Sequence, residues 1–278
     1  MPQQAQIRVA KGNAFRALHQ QSEAFIIPNP WDIGSARLLA HLGFEALATT
    51  SAGHAFSLGQ QDGTVDREQA LEHIATIVAA TDLPVSADLE NGFGDAPETV
   101  AETIRMAAAT GLVGGSIEDA TGHAEAPIYD IGLAAERIRA AAEAVRALPY
   151  PFMLTARCEN FLFGRPDLAD TIRRLQAYQE AGADVLFAPG LKTPEDIAAV
   201  VREVDRPVNV VMGLQGMLMT RAELSELGVK RISVGGALAR AAYGAVLRAG
   251  REMREHGSFK FANEAVSFRD ISAIFAKN

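Results

Sequence analysis

At 278 residues, 48% apolar and 22% charged, the chain has the composition of an ordinary globular α/β protein with a large core, which excludes a disordered polymer. A net charge of −8 leaves no basic field to hold a nucleic-acid backbone or an anionic membrane surface, so an anionic ligand needs locally placed cations or a metal ion. The single cysteine, Cys158, excludes an intramolecular disulfide and a thiolate-rich zinc site, and fits a reducing compartment.

The N-terminus, MPQQAQIRVAKGNAFRALHQ, lacks the unbroken apolar stretch of a signal peptide. Arg8, Lys11 and Arg16 precede the first acid, Glu23, as in a transit peptide, but the pattern reads as a leading surface helix and the location as cytoplasmic. No apolar run reaches the 18 residues of a membrane span. Short β-branched or apolar runs then alternate with amphipathic stretches, the signature of repeated βα units. Strands are predicted at 25–29, 46–51, 84–90, 114–119, 152–157, 185–190, 208–213 and 231–236, with helices such as 97–110, 130–147, 167–181 and 194–204 between them. Asp95-Ala96-Pro97-Glu98 and Thr193-Pro194-Glu195 carry helix-start signals, and Gly111, Gly182 and Gly228 stand where helix C-caps belong.

Eight βα units close a parallel barrel, so the fold class is α/β, a (β/α)8 TIM-type barrel, in a single domain over 1–278. The alternative, a doubly wound open sheet, wants a Gly-rich turn after the first strand, and PNPWDIG is not that fingerprint. After the eighth strand come a long helix over 237–256, a break at His256-Gly257-Ser258, and a C-terminal helical extension, 258–278. In its stretch 262–276, Phe268, Ile271 and Phe275 recur at helical spacing, and that face must bury itself on the barrel or on another subunit.

Barrels of this kind carry their chemistry at the C-terminal ends of the strands. The third word ends Asp88-Leu89-Glu90, the fourth Glu118-Asp119, the fifth Arg157-Cys158-Glu159. Strand alternation places Asp88 and Glu90 on one face, about 7 Å apart. Four acids on adjacent strand ends suit a hard divalent cation, Mg2+ or Mn2+; helix capping or pairing with Arg157 is the plainer reading of any one of them. The Arg157 fork matches a carboxylate or phosphonate, with a salt bridge to Glu159 or Glu118 as its alternative. Ser51-Ala52-Gly53 reads as a small-residue turn whose N–H groups can hold a carboxylate. Cys158 alternates away from Arg157 and reads as a small buried hydrophobe without a catalytic role.

PNPWDIGSARLL, ATTSAG, ADLENGFG, SIEDATGH, TARCENF and SVGGALARAA together resemble the isocitrate lyase and phosphoenolpyruvate mutase superfamily. That resemblance implies an α/β barrel whose last helix swaps onto a partner subunit, in a homo-oligomer, dimer or tetramer. It implies Asp88 as direct Mg2+ ligand and Glu90 and Glu118 as acids holding the metal's waters, Glu90 standing where many relatives have Asp. Asp62 matches an acid close to the reacting atoms, and catalysis falls to Asp62, Arg157 and Glu118. Trp31, Ser51, Ala52 and Gly53 resemble the pocket for the substrate carboxylate and keto group, and Arg157 the substrate-anion arginine. Gly122 and His123 are what survives of a Lys-Lys/Arg-Cys-Gly-His loop, with Thr121 in place of the acidic thiol, which argues against isocitrate and methylisocitrate as substrates. The implied function is Mg-dependent cleavage of a C–C bond in a small 2-oxo or 2-hydroxy diacid, oxaloacetate-like or malate-like, through a pyruvate enolate-type intermediate. The alternatives are C–P chemistry on phosphonopyruvate, by a mutase or hydrolase, and a non-catalytic barrel that binds a 2-oxo acid.

Overall fold

The computed structural model describes residues 3–214 and 216–276. Its strands are β1 Phe25–Ile27, β2 Leu47–Ala48, β3 Val85–Asp88, β4 Gly114–Glu118, β5 Met153–Arg157, β6 Val185–Phe187, β7 Val208–Val211 and β8 Arg231–Ser233. All ladders are parallel and run in the order β1-β8-β7-β6-β5-β4-β3-β2. The remaining seam, β1 to β2, is bridged by the Ala48 N–H donating to the Pro28 carbonyl at 3.1 Å. This is a nearly closed (β/α)8 barrel, and the open doubly wound sheet is excluded. Every strand is shorter than predicted; in all but β5, which loses only its first residue, C-terminal residues leave the ladder for the loops above it.

The helices are α1 Gln3–Leu18, α2 Ile33–His41, α3 Ser51–Ser57, α4 Arg67–Ala79, α5 Pro97–Ala109, α6 Ile131–Arg146, α7 Leu168–Ala181, α8 Pro194–Glu203, α9 Arg221–Glu226, α10 Ala237–His256 and α11 Phe268–Phe275. Among the described residues no helix is long and apolar enough to cross a membrane. Outward strand residues such as Ile117, Leu154, Leu186, Val210 and Ile232 join Ile104, Ile138, Leu175 and Val200 of the helices in one buried cluster. Fully burying a side chain of this size stabilises by about 1.5–3 kcal/mol, so this sheet–helix layer holds the fold.

The leading helix is more than a surface helix. From α1, Phe15 and Leu18 are buried, as is His19 just beyond it, and the His19 ring meets Phe15 and Phe25 edge-on at 4.8 and 4.9 Å. They plug the N-terminal end of the barrel. A Cβ on Gly12 would come within 2.3 Å of the Pro151 carbonyl oxygen, and one on Gly114 within 2.7 Å of the Phe15 ring, so glycine sets both close approaches.

Gly111, Gly182 and Gly228 take φ of 104°, 111° and 89° at helix C-termini, as expected. Thr193 caps α8, its hydroxyl accepting from the Asp196 N–H at 3.1 Å. Asp95 departs from the cap signal: Ala96 is the N-cap of α5 with no side-chain bond, and the Asp95 carboxylate instead accepts the Tyr129 hydroxyl at 2.6 Å.

The helix over 237–256 is α10, and Gly257, in the left-handed region, ends it. The stretch 262–276 is not one helix. A 3-10 turn, Lys260–Asn263, precedes α11, and the Glu252 carboxylate, accepting from Ser258 and the Lys260 and Phe261 N–H groups, folds the chain back there. α11 lies against α2, with the Phe275 ring over Gly34. Phe268 (87% exposed), Phe259 and Val266 keep their apolar surface in solvent. Residues 277–278 of the expected extension lie outside the described residues.

Candidate active site

Two adjoining cavities open at the C-terminal ends of the strands, of about 280 and 560 Å³, and Ser51, Asp62, Arg157 and Leu162 line both. The register puts Asp88 beside Ser116 and Glu118 beside Arg157, so the charged ends of β3, β4 and β5 meet at one rim. At its centre the Arg157 guanidinium donates to Asp88 (2.9 Å) and Glu159 (3.0 Å) and forms an ion pair with Glu118 (3.1 Å), with the Phe187 ring 5.3 Å away on its face. The fork is thus engaged by carboxylates of its own chain, and the salt-bridge alternative describes its contacts.

One guanidinium does not balance the acids around it. Burial, with Glu159, Asp88 and Glu90 adding to it, holds the Glu118 carboxyl well above the usual range even against Arg157. Glu90 is pushed up to about 7 by burial first and then by Asp88 and Asp62. Such a surplus of negative charge at a cavity rim is what a hard divalent cation relieves.

Glu90 reaches the rim by a different route from strand alternation. β3 ends at Asp88, and Glu90 adopts φ 48°, followed by Gly92 at 82° and Phe93 at 61°. Left-handed backbone at a non-glycine residue costs on the order of 1 kcal/mol, and it is held here by the Glu118 N–H donating to the Glu90 carbonyl (2.9 Å) and the Glu90 N–H to Asp88 (3.3 Å). Asp119 is not at the rim. It points into the helix layer, where it accepts from the Glu159 N–H (2.8 Å), Arg174 (3.1 Å) and the Tyr178 hydroxyl (2.5 Å). Cys158 is fully buried on that outer side, and burial pushes its thiol up.

Ser51-Ala52-Gly53 is the first turn of α3, not a free turn. Thr50 caps it by accepting the Gly53 N–H at 3.2 Å, and the Ser51 N–H is already donated to Asp88 at 3.2 Å. Ser51 and Ala52 line the smaller cavity, whereas Gly53 and Trp31 stand behind it: a Cβ on Gly53 would lie 2.8 Å from that of Trp31. Asp62 lines both cavities, its carboxyl raised by burial and lowered by a hydrogen bond from Ser51. Gly122, at φ 77°, lines the larger cavity, but His123 is exposed and lines neither. The Thr121 hydroxyl donates to the Ala126 carbonyl (2.6 Å) and accepts the His123 N–H (2.9 Å), so it is spent inside its own loop.

Sequence reading missed the lower wall. Asn29, Ser86, Ser116, Asn209, Arg231 and Ser233 also line the smaller cavity. Asn29 ties three strand ends together, donating to the Thr49 carbonyl and accepting the Val234 and Gly235 N–H groups, each at 2.9 Å. The signal was period-two polarity within strands: Ser86 and Asp88, Ser116 and Glu118, Thr155 and Arg157, Arg231 and Ser233.

Residues 15–254 match the family model described as phosphoenolpyruvate phosphomutase. The chain superposes with a TM-score of 0.96, at 66% identity over 98% of its length and 97% of the other's, on a Burkholderia cenocepacia J2315 crystal structure with a provisional lyase/mutase designation. It is 30% identical over 242 residues, 84% of this chain and 81% of the relative, to oxaloacetate decarboxylase of Pseudomonas paraeruginosa. A phosphonopyruvate hydrolase in complex with oxalate and Mg2+ superposes with a TM-score of 0.85 at 26% identity, covering 96% of this chain and 95% of that one. With the matched model spanning the barrel from Phe15 of the plug to Arg254 of α10, the chain belongs to the phosphoenolpyruvate phosphomutase family, within the superfamily that its strand-end motifs resemble.

Proposed function

We propose that this chain is a Mg2+- or Mn2+-dependent lyase that cleaves a C–C bond in a small 2-oxo or 2-hydroxy diacid, oxaloacetate-like or malate-like. One observation carries the reading: Asp88 on the smaller cavity and Glu90 and Glu118 on the adjoining larger one surround Arg157 with more carboxylate than it neutralises, although among the described residues no three acids, histidines or cysteines stand close enough to enclose an ion without water. Oxygen-only donors with room for water fit a hard divalent cation, Asp88 as direct ligand and Glu90 and Glu118 holding its waters. When bound, that ion supplies the charge that stabilises an oxyanion developing on the substrate. The similarity to oxaloacetate decarboxylase over most of both chains supports the substrate class.

The chain's own residues do the rest. Ser51 and Ala52 face the substrate carboxylate end, and Arg157, once a cation shares its acids, turns its fork to the substrate's other anion. Asp62, half-buried beside Ser51, is placed to hold or move a proton at the reacting carbon. With an oxaloacetate-like substrate, C–C cleavage releases CO2 and leaves the electron pair on the enolate of pyruvate, which then needs only a proton. With a malate-like substrate the hydroxyl gives up its proton and becomes the keto group of the 2-oxo acid product, and the electron pair stays beside the carboxylate of the other product, which takes the proton. The Thr121 hydroxyl, spent in its own loop, is no acid for that step, which argues against isocitrate and methylisocitrate as the substrates. The protein acts as one domain in the cytoplasm, with Cys158 reduced, and as a homo-oligomer, dimer or tetramer, that covers Phe268, Phe259 and Val266.

A second reading uses the same rim for C–P chemistry on phosphonopyruvate, favoured by the likeness to phosphonopyruvate hydrolase. Purified protein with Mg2+ and a panel of 2-oxo and 2-hydroxy diacids and phosphonopyruvate separates the readings. Pyruvate released from a diacid, above the rate of Mg2+ alone, supports the lyase; phosphate from phosphonopyruvate supports the second. Ligand binding with no turnover of any member would leave a barrel that only binds a 2-oxo acid.

A further inference from the structure

The inner layers of a (β/α)8 barrel are normally filled by branched apolar side chains. Here the wall below the rim carries Ser86, Ser116, Asn209, Ser233 and Arg231, and the smaller cavity descends to them. Arg231 opens β8, is 5% exposed, and reaches across the barrel: its Nε donates to Asn209 (2.9 Å), Nη2 to the Thr155 hydroxyl (2.9 Å), and Nη1 lies 3.5 Å from His19 Nε2. All three partners are neutral, since burial holds the His19 imidazole down at about 3.

Arg157 has three carboxylates, and Arg174 has Asp119 and Asp170. The equally buried Arg137 has no salt bridge, but it spends its fork on the backbone carbonyls of Asn91, Gly94 and Asp95, with the Asp95 and Asp119 charges near enough to favour its own. Among the described residues no carboxylate pairs with Arg231; the acids on the cavity's lining, Asp62 and Asp88, stand at the rim beside Arg157. Burial alone pushes its guanidinium down to about 9, which still leaves it charged at neutral pH. A buried ion without a counter-ion is costly, and a guanidinium has five N–H donors, of which three are turned to Asn209, Thr155 and His19. The Phe15, His19 and Phe25 plug closes the barrel below, so the open side of the fork is the cavity side.

We propose that Arg231 is the floor of a second anion subsite inside the barrel, one that takes a single carboxylate-sized, singly charged anion, with the serine hydroxyls of β3, β4 and β8 around it. The anion is either the far carboxylate of the diacid substrate, which Arg231 then holds in place of Arg157, an assignment that rests on the function proposed above, or a free halide or simple carboxylate that serves as a resident counter-ion.

The test uses sodium bromide, pyruvate and oxaloacetate on wild type, Arg231→Gln and Arg231→Lys. In halide-free buffer, bromide raises the Tm of wild type and not of Arg231→Gln if the occupant is a free anion, with Arg231→Lys between them. If the occupant is the substrate's far carboxylate, the KM for oxaloacetate rises at least tenfold in Arg231→Gln, while pyruvate, with one carboxylate, inhibits both proteins equally. Bromide-soaked crystals of wild type, read by anomalous scattering, keep the question open to decision even where Arg231→Gln fails to fold: a peak against the guanidinium supports the subsite. No peak there, together with equal bromide response and equal oxaloacetate KM in wild type and folded Arg231→Gln, would overturn it and leave the well to water. Because the bromide measurement needs no turnover, failure of the lyase reading and failure of the subsite give different results.

Discussion

The two faces of the same strands are built on opposite principles. In β5, Leu154 and Ala156 are fully buried in the helix layer, while Thr155 and Arg157 turn inward to Arg231 and to the rim acids. In β4, Ile117 faces outward, and Ser116 and Glu118 face the cavities. The outer face is apolar and close-packed, and its free energy is hydrophobic burial. The inner face is hollow and mixes apolar residues such as Ile27, Phe187 and Val211 with polar groups held by hydrogen bonds and by charges that the chain alone does not balance. The outer layer can therefore keep the fold while the inner face carries groups that contribute little stability and much chemistry.

The largest expected effect falls on the inner face. Asp88→Asn removes a hard-cation ligand and a partner of Arg157 with almost no change of shape. Metal-dependent turnover should fall by a factor of about 10³ or more, roughly 4 kcal/mol, with circular dichroism unchanged. Wild-type rates in that variant would remove the metal assignment.

Leu154→Ala, one strand position from Thr155, tests the other face. Stability should drop by about 2–5 kcal/mol in denaturant unfolding, while the folded fraction keeps its kcat/KM. A loss of kcat/KM with no loss of stability would show that the two faces are not independent.

Arg157→Lys keeps the charge and loses the fork. We expect kcat/KM to fall by about 2 to 4 kcal/mol at saturating Mg2+, measured beside Tm on the same preparation. A lowered Tm with normal kcat/KM would move Arg157 from chemistry to scaffold.

Cys158→Ala gives the smallest effect and the sharpest contrast, because Cys158 follows Arg157 in the chain yet lies on the other face. Stability should fall by about 1 kcal/mol and kcat/KM should stay within about twofold. In the wild type the thiol, buried and held protonated, should resist thiol reagents until the protein unfolds. Rapid labelling of the native protein would contradict that placement.

Much of this was legible in the chain. Eight apolar words at βα spacing named the barrel, and the charged word endings Asp88, Glu118 and Arg157 marked its working rim, since strand number and strand ends are local properties of sequence. Other features depended on neighbours distant in the chain. Glu90 belongs at the rim through a left-handed turn stapled by the Glu118 N–H, not through the pleat. Asp119 looked like a fourth rim acid, but Arg174 and Tyr178, about 55 residues onward, hold it in the helix layer. His123 carried a motif resemblance, yet the Thr121 loop turns it to solvent.

The sequence by itself determined the fold class, the family, and Asp88, Glu118 and Arg157 of the rim, because periodicity, spacing and motif order are written along one dimension. Only the tertiary structure decided that Arg157 bridges three carboxylates, that Gly53 and Trp31 stand behind the cavity, and that Arg231 lies within it without an acid. Those are statements about which charges share a buried volume, and charge pairing across a barrel depends on strand register and closure, which no single strand encodes.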